Sequence, residues 1–185
     1  MTNKIPKDNS DNKSKYNRHW TRHGSTRYLW DMKNLEMAII YVRDEQGEVM
    51  SYMENNIDSE EQIACTPLAY LITFSTYGSC LHGDDRGSVN KRHNIPGTEV
   101  IQSNKGLNLK EKTLMKYEMY SMDGVSRKIV KNAINEVCLH RGWLMHAVHV
   151  RKTHVHVVVS ADQKPERIMR DFKAYSTRAL NSAGL

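Results

Sequence analysis

RGWLMHAVHVRKTHVHVVVSA, residues 141–161, is the stretch that decides the fold. It holds two runs rich in apolar and β-branched residues, 143–150 and 154–160, with three residues between them. Runs of this composition joined by so short a connection are typical of a β-hairpin. We therefore predict two antiparallel strands here, with the rest of the domain built around them.

The second run places two histidines at alternate positions, His154 and His156. Side chains alternate across a strand, so both imidazoles should point to one face and Val155, Val157 and Val159 to the other, which we expect helices to cover. Two imidazoles one strand step apart can share a metal ion, or they can be solvent-exposed residues on an open sheet face. Four other histidines lack such pairing and are expected to be structural or exposed: His82, His140, His146 and His149.

Apolar periodicity and capping residues predict further elements on both sides of the hairpin. They are a strand at 25–29, a helix from the N-cap Asp31 to Glu45 or Gln46, a strand at 68–76, a helix at 125–141 and a helix from Pro165 to about Leu180. Residues 77–112 carry Gly, Pro, Asn and many charges, so we expect a long loop there, which in a compact domain is often functional. This order predicts the α+β class, with helices on one face of an antiparallel sheet.

The length of 185 residues suits a single domain, which we place at 17–185. We expect a disordered basic arm at 1–16 and a polar linker at 54–66, because neither has much to bury. The net charge of +6 favours polyanionic partners such as nucleic acid. No stretch is apolar enough to span a membrane, and three distant cysteines without a CxxC spacing indicate reduced thiols and a cytoplasmic protein.

The first predicted helix offers a nucleophile and a further ligand. Tyr41 and Glu45 are four residues apart, so they lie one above the other on one flank of the helix, beside its apolar stripe. The phenol could therefore face a site at the edge of the packing while Glu45 reaches the same metal, and Gln46 could serve instead. The alternative is a half-buried tyrosine beside a surface acid.

HVHVVVSA resembles the HUH motif (histidine, bulky apolar residue, histidine) of single-strand DNA nucleases. Other segments resemble the insertion-sequence-200-like single-tyrosine transposases and their REP-associated relatives. These segments are WTRHGSTRYLW (20–30), AIIYVRDEQGE (38–48), YLITFSTYGSCLHGDDRGSVN (70–90), the hairpin (141–161) and PERIMRDFKAYSTRALN (165–181). The resemblance implies an HUH nuclease core with a ferredoxin-like antiparallel sheet.

The order of these segments differs from that of the family, in which the last strand and the tyrosine helix follow the hairpin. Here the segments that resemble them lie in 17–53, before the linker 54–66, and 67–185 holds the first strand, long loop, helix, hairpin and helix. The chain therefore resembles a circular permutation, which surface termini that lie close together permit. By resemblance the nucleophile is Tyr41; the alternative, Tyr175, belongs to a segment similar to the helix after the hairpin.

The resemblance also implies an activity: a transposase that acts as a metal-dependent single-strand DNA endonuclease and strand transferase, through a 5′-phosphotyrosine, at hairpin-associated sites. His154 and His156 would hold Mg²⁺ or Mn²⁺ with Glu45 or Gln46 as third ligand, while Tyr41 attacks the phosphate. Single-stranded or hairpin DNA would be guided by basic residues, namely Arg18, Arg22, Arg27, Arg86, Lys91, Arg92, Arg151 and Lys152. The family is often dimeric and can supply the tyrosine in trans, so a homodimer is a further expectation.

Three other functions fit part of the pattern. A non-catalytic DNA-hairpin-binding regulator on the same fold would need neither metal nor Tyr41. A replication-initiator or relaxase nuclease would share the HUH chemistry, but such chains resemble this one less outside the hairpin. A metal-dependent hydrolase that uses the histidine pair to activate water would not need Tyr41. The presence of Tyr41 together with both histidines favours the transposase.

Overall fold

The computed structural model describes residues 19–44, 66–85 and 102–185. Its strands are β1 (Trp20–Leu29), β2 (Ala69–Thr76), β3 (Leu144–Val150) and β4 (His154–Ser160). Its helices are α1 (Met32–Arg43), α2 (Lys105–Thr113), α3 (Gly124–Arg141) and α4 (Pro165–Ser182). Outside the described residues lie the expected arm at 1–16, all but the last residue of the expected linker, and six predicted site residues: Arg18, Glu45, Gln46, Arg86, Lys91 and Arg92.

The four described strands form one antiparallel sheet in the order β1-β2-β4-β3. β3 and β4 form the predicted hairpin, and β2 pairs with the other side of β4. The histidine-bearing strand therefore lies in the interior of the sheet, with a hydrogen-bonded neighbour on each side. Its valines suit that place, because β-branched side chains pack well on a pleated, buried surface.

The two faces of the sheet pack against different helices. The alternate valines of β4 are buried in a core under α3 and α4 that also contains Phe74 and Phe172. On the opposite face, α1 packs through Leu35, Ala38 and Val42 in a second, smaller core. The face that carries His154 and His156 is therefore partly covered by the helix that carries Tyr41.

The α+β class and the antiparallel sheet are confirmed. The expectation that the helices share one face holds for α3 and α4 and is wrong for α1. The physical reason is that the histidine face is not uniformly polar. Leu71, Ala147 and Val158 also point to that face and are buried there, so they need an apolar cover, which α1 provides.

Several element boundaries differ from the predicted ones. β1 begins at Trp20 rather than Ser25, and the Trp20 ring packs edge-on against Phe74 at 5.0 Å between centroids. The predicted loop contains α2, a short helix with no buried residue whose N-cap is Asn104; without an apolar stripe it gives little periodic signal. α1 ends at Arg43, short of Glu45 and Gln46. None of the described helices has the length and apolar character that a membrane span requires.

Candidate functional site

The two histidines of β4 form a pair on the face that α1 partly covers. Their ring centroids lie 4.8 Å apart with the planes at 80°. In the β2–β4 register, His156 is opposite Thr73 and His154 is opposite Ser75. Because directly paired residues share a face, the imidazoles stand on a strip of small polar side chains rather than among apolar ones.

His156 is buried, with 6% of its surface exposed, and its two ring nitrogens have different surroundings. Nδ1 lies 2.8 Å from the Thr73 hydroxyl oxygen. Nε2 is buried and has no hydrogen-bond partner among the described residues. If the Thr73 hydroxyl accepts the Nδ1 proton, Nε2 keeps its lone pair, as a metal ligand must. A buried nitrogen without a partner is costly in a purely structural histidine, which favours a ligand at this atom.

Burial is the main reason that the pKa of His156 is lowered from its ordinary value of 6.5 to about 4, and the charges of His154, His149 and Arg151 contribute to this shift. The imidazole is therefore neutral at physiological pH. A neutral ring is the form that binds a metal ion, so the protein does not have to remove a proton first.

Tyr41 on α1 lies beside His156, the buried member of this pair. Its ring centroid lies 5.6 Å from that of His156, with the planes at 75°. The buried Ala38 and Val42 hold this part of α1 on the sheet and so direct Tyr41 toward the histidines. Tyr175 occupies a different place: it packs against the core of the valine face, with the Arg178 guanidinium 5.1 Å from its ring centre. Only the first of the two candidate tyrosines shares a face with His154 and His156.

A third protein ligand for a metal is not present in the described part of the chain, where no group of three His, Cys, Asp or Glu side chains could hold an ion. Both sequence candidates, Glu45 and Gln46, follow α1 directly and lie outside the described residues. The two imidazoles fit a divalent ion as a partial ligand set, which carboxylate or amide oxygen, water and substrate phosphate could complete.

Two residues of the site were missed by sequence reasoning. Thr73, in the middle of β2, is the hydrogen-bond partner of His156. His149, which was expected to be structural or exposed, lies directly opposite His156 in the β3–β4 register. The signal for His149 was the hairpin itself, since the pairing of the two strands puts residue 149 beside residue 156. Thr73 had no comparable local signal, because its pairing partner lies far along the chain.

The four predicted basic residues in the described part of the chain lie at different places around the sheet. Arg151 is close enough to His156 to lower its pKa. Arg27 pairs with Leu71 and so lies on the same face of the sheet as the histidines, two strands away on β1. Arg22 lines a cleft against α4 on the other face of the sheet. Lys152 is exposed at the hairpin turn.

Comparison with known proteins adds one finding. Residues 107–184 match the family model described as "Transposase IS200 like". Through this segment the chain is similar to the IS200-like transposases. The match includes the hairpin with both histidines and supports a transposase function, and thus a DNA-processing enzyme; β1 and α1 lie outside the matched residues. No curated protein and no solved structure matched the chain.

The lowered pKa of His156 predicts how stability depends on pH. The folded state binds the proton more weakly than the unfolded state, so the free energy of unfolding should fall as pH drops from about 6.5 to about 4. For a full difference between those values the loss is up to about 3 kcal/mol. Urea unfolding at several pH values should show that the free energy of unfolding falls less at acid pH for His156→Gln than for wild type.

His140→Gln is the matched control, because that side chain is exposed at the end of α3. Equal acid slopes for His156→Gln and wild type would show that the imidazole is not held neutral by burial.

Proposed function

We propose that this protein is a metal-dependent single-strand DNA endonuclease and strand transferase that forms a 5′-phosphotyrosine through Tyr41 at hairpin-associated sites. The observation that carries the proposal is the Tyr41 ring 5.6 Å from the buried member of a histidine pair. A phenol beside two potential metal ligands is the minimum set for tyrosine transfer chemistry. Tyr41 and His156 meet within one chain, so one subunit holds both and a partner need not supply the tyrosine.

In this mechanism His154 and His156 bind a divalent ion, Mg²⁺ or Mn²⁺, with Glu45 or Gln46 as the third protein ligand. The ion, when bound, polarises the scissile phosphate and neutralises charge that develops on its oxygens. The Thr73 hydroxyl holds the His156 ring through Nδ1. Nε2, on the other side of the ring, is left for the ion. Buried packing of α1 fixes the position of Tyr41 relative to both rings.

The transfer step forms one bond and breaks one. The Tyr41 phenol gives up its proton and its oxygen attacks phosphorus, the bond between phosphorus and the 3′ oxygen breaks, and the released proton is balanced by the one that the departing strand takes up as a free 3′-OH. The phosphotyrosine conserves the energy of the phosphodiester, so attack by a second 3′-OH reverses the step and joins new ends. No nucleotide cofactor is required for this exchange.

The strand is guided to the histidine face by positive charge. Arg27 and Arg151 border that face and would neutralise phosphates on either side of the scissile one. Four further proposed contacts lie outside the described residues: Arg18, which precedes β1, and Arg86, Lys91 and Arg92 in the predicted long loop.

The order of the elements is, in our proposal, a circular permutation of the family's order. The support is the meeting of the chain end with the start of β1: His19 Nε2 lies 3.3 Å from the Leu185 carbonyl oxygen. A chain in which α4 ran directly into β1 would need only a short connection at this place. We also propose a homodimer, which is compatible with both the permuted order of the elements and the family's order.

Replacing the nucleophile gives the first test of function. Labelled hairpin DNA with a single-stranded flank, incubated with the protein and Mn²⁺ or Mg²⁺, should yield a covalent band on a denaturing gel. Tyr41→Phe should abolish the band, because the ring remains while the attacking oxygen is lost. Tyr175→Phe, in the other core, should retain it.

A covalent band from Tyr41→Phe would overturn the assignment. DNA retention without any covalent band would support the hairpin-binding regulator, and cleavage without a band would support the hydrolase.

A second test concerns Thr73. Thr73→Val keeps the side-chain shape but removes the hydroxyl that holds His156, so Mn²⁺ affinity measured by calorimetry should fall about 10–100-fold. Thr73→Ser restores a hydroxyl and should recover most of the affinity. Equal affinities for the valine variant and wild type would show that this hydrogen bond does not support the metal site.

The permutation is tested by reordering the chain. A variant with residues 66–185 first, a short Gly/Ser connection from Leu185 to His19, and then residues 19–65 should melt within about 5 °C of wild type. A variant opened between Val130 and Lys131, inside α3, is the matched control and should not fold. Failure of the first variant to fold would contradict the proposal that the chain is circularly permuted.

A further inference from the structure

A cleft of about 550 Å³ lies between β1 and α4, away from the histidine pair. Gly24, Thr26 and Tyr28 line it from β1, and Met169 and Lys173 are among its lining residues on α4. The Tyr28 ring packs edge-on against Tyr70, a residue of the core under α3 and α4, so the cleft opens on that face. The proposed chemistry uses none of these residues.

The floor of the cleft is closely packed, because Met169 lies directly against the backbone at Gly24. A Cβ on Gly24 would overlap the Thr73 carbonyl oxygen and lie 2.7 Å from the Met169 sulfur. The glycine lets the backbone of β1 and the Met169 side chain approach closely, and this approach forms the bottom of the cleft.

The wall of the cleft is positively charged. Arg22, Arg170 and Lys173 line it, against a single carboxylate from Glu166. The Lys173 ammonium is held in place, since Nζ donates a hydrogen bond to the Thr21 carbonyl oxygen at 3.0 Å and lies 5.6 Å from the centre of the Phe74 ring. Clustered cations in a groove attract a phosphate backbone.

An aromatic surface adjoins these cations. Tyr28, which lines the cleft, stacks on Trp30 with 6.0 Å between ring centroids and planes at 12°. Both rings are unusually exposed, Tyr28 at 45% and Trp30 at 55%. Exposed aromatic rings beside a basic groove are the combination by which proteins bind single-stranded nucleic acid without reading its sequence.

We propose that the β1–α4 cleft binds a segment of single-stranded DNA, with phosphates at Arg22, Arg170 and Lys173 and a base stacked on the Tyr28–Trp30 pair. The site is separate from the histidine face. Among the described strands β1 lies at the edge of the sheet, so a DNA strand can pass around this edge from one face to the other. Trp30 directly precedes the N-cap of α1, the helix of Tyr41. The cleft would thereby hold DNA that flanks the cleaved phosphate.

This inference deepens the proposed function but does not require cleavage, so binding is measured in EDTA. Anisotropy of a fluorescent single-stranded oligodeoxythymidylate reports the dissociation constant at several salt concentrations. Arg170→Gln and Arg22→Gln should each weaken binding several-fold and reduce the slope of log Kd against log salt by about 0.7. Tyr28→Ala should weaken binding about tenfold.

The Glu166 carboxylate provides a test in which the substitution should strengthen DNA binding rather than weaken it. Glu166→Gln removes the only negative side chain lining the cleft, so binding should tighten about two- to threefold. Lys131→Gln and Glu136→Gln make the same charge changes on exposed positions of α3 and are the matched controls.

Arginine variants that bind like Lys131→Gln, together with a Glu166→Gln variant that binds like Glu136→Gln, would overturn the proposal. A DNA duplex whose binding suffered as much as that of the single strand from Tyr28→Ala would also overturn it, because paired bases cannot stack on the rings. If Arg22→Gln, Arg170→Gln and Tyr28→Ala weaken binding while wild type forms no covalent adduct, the DNA-binding cleft is supported and the nuclease proposal fails.

Discussion

The register of β4 against its two neighbours is the constraint on which the site depends. It sets His156 between Thr73 on β2 and His149 on β3. A slip of one residue would turn both histidines toward α3 and α4 and the valines toward α1. The buried valines prevent that slip, since exchanging them for imidazoles would place polar rings in the main core without partners. The same packing that stabilises the sheet therefore positions the candidate ligands.

The two faces of the sheet divide stability from chemistry. The face under α3 and α4 holds the larger core and includes both phenylalanines of the chain. The other face is covered only in part: α1 packs over its apolar end and leaves the histidine end next to Tyr41. One flank of α1 thus buries apolar side chains against the sheet, and the adjacent flank carries the Tyr41 phenol. Its attachment to the sheet is what makes Tyr41, and not Tyr175, the neighbour of the histidines.

Much of this arrangement could be predicted from the sequence. Alternation along 154–160 predicts the hairpin, the valine core and the shared face of the histidines, and the capping residue Asp31 predicts where α1 begins. The side of the sheet that α1 covers could not be predicted, because it depends on apolar residues from all four described strands. Thr73 was missed for a similar reason: its role exists only through its pairing with a strand far along the chain. The family resemblance, rather than periodicity, distinguished Tyr41 from Tyr175.

The account rests on a metal ion held by the histidine pair within reach of the Tyr41 phenol. The most direct test is a crystal structure of the Mn²⁺-soaked protein, with the metal located by its anomalous scattering. We expect one peak about 2–2.3 Å from a nitrogen of His154 and from Nε2 of His156, with the Tyr41 hydroxyl beside it. Absence of density at the histidines in crystals that bind Mn²⁺ elsewhere, or a Tyr41 ring on the far side of α1, would contradict the account.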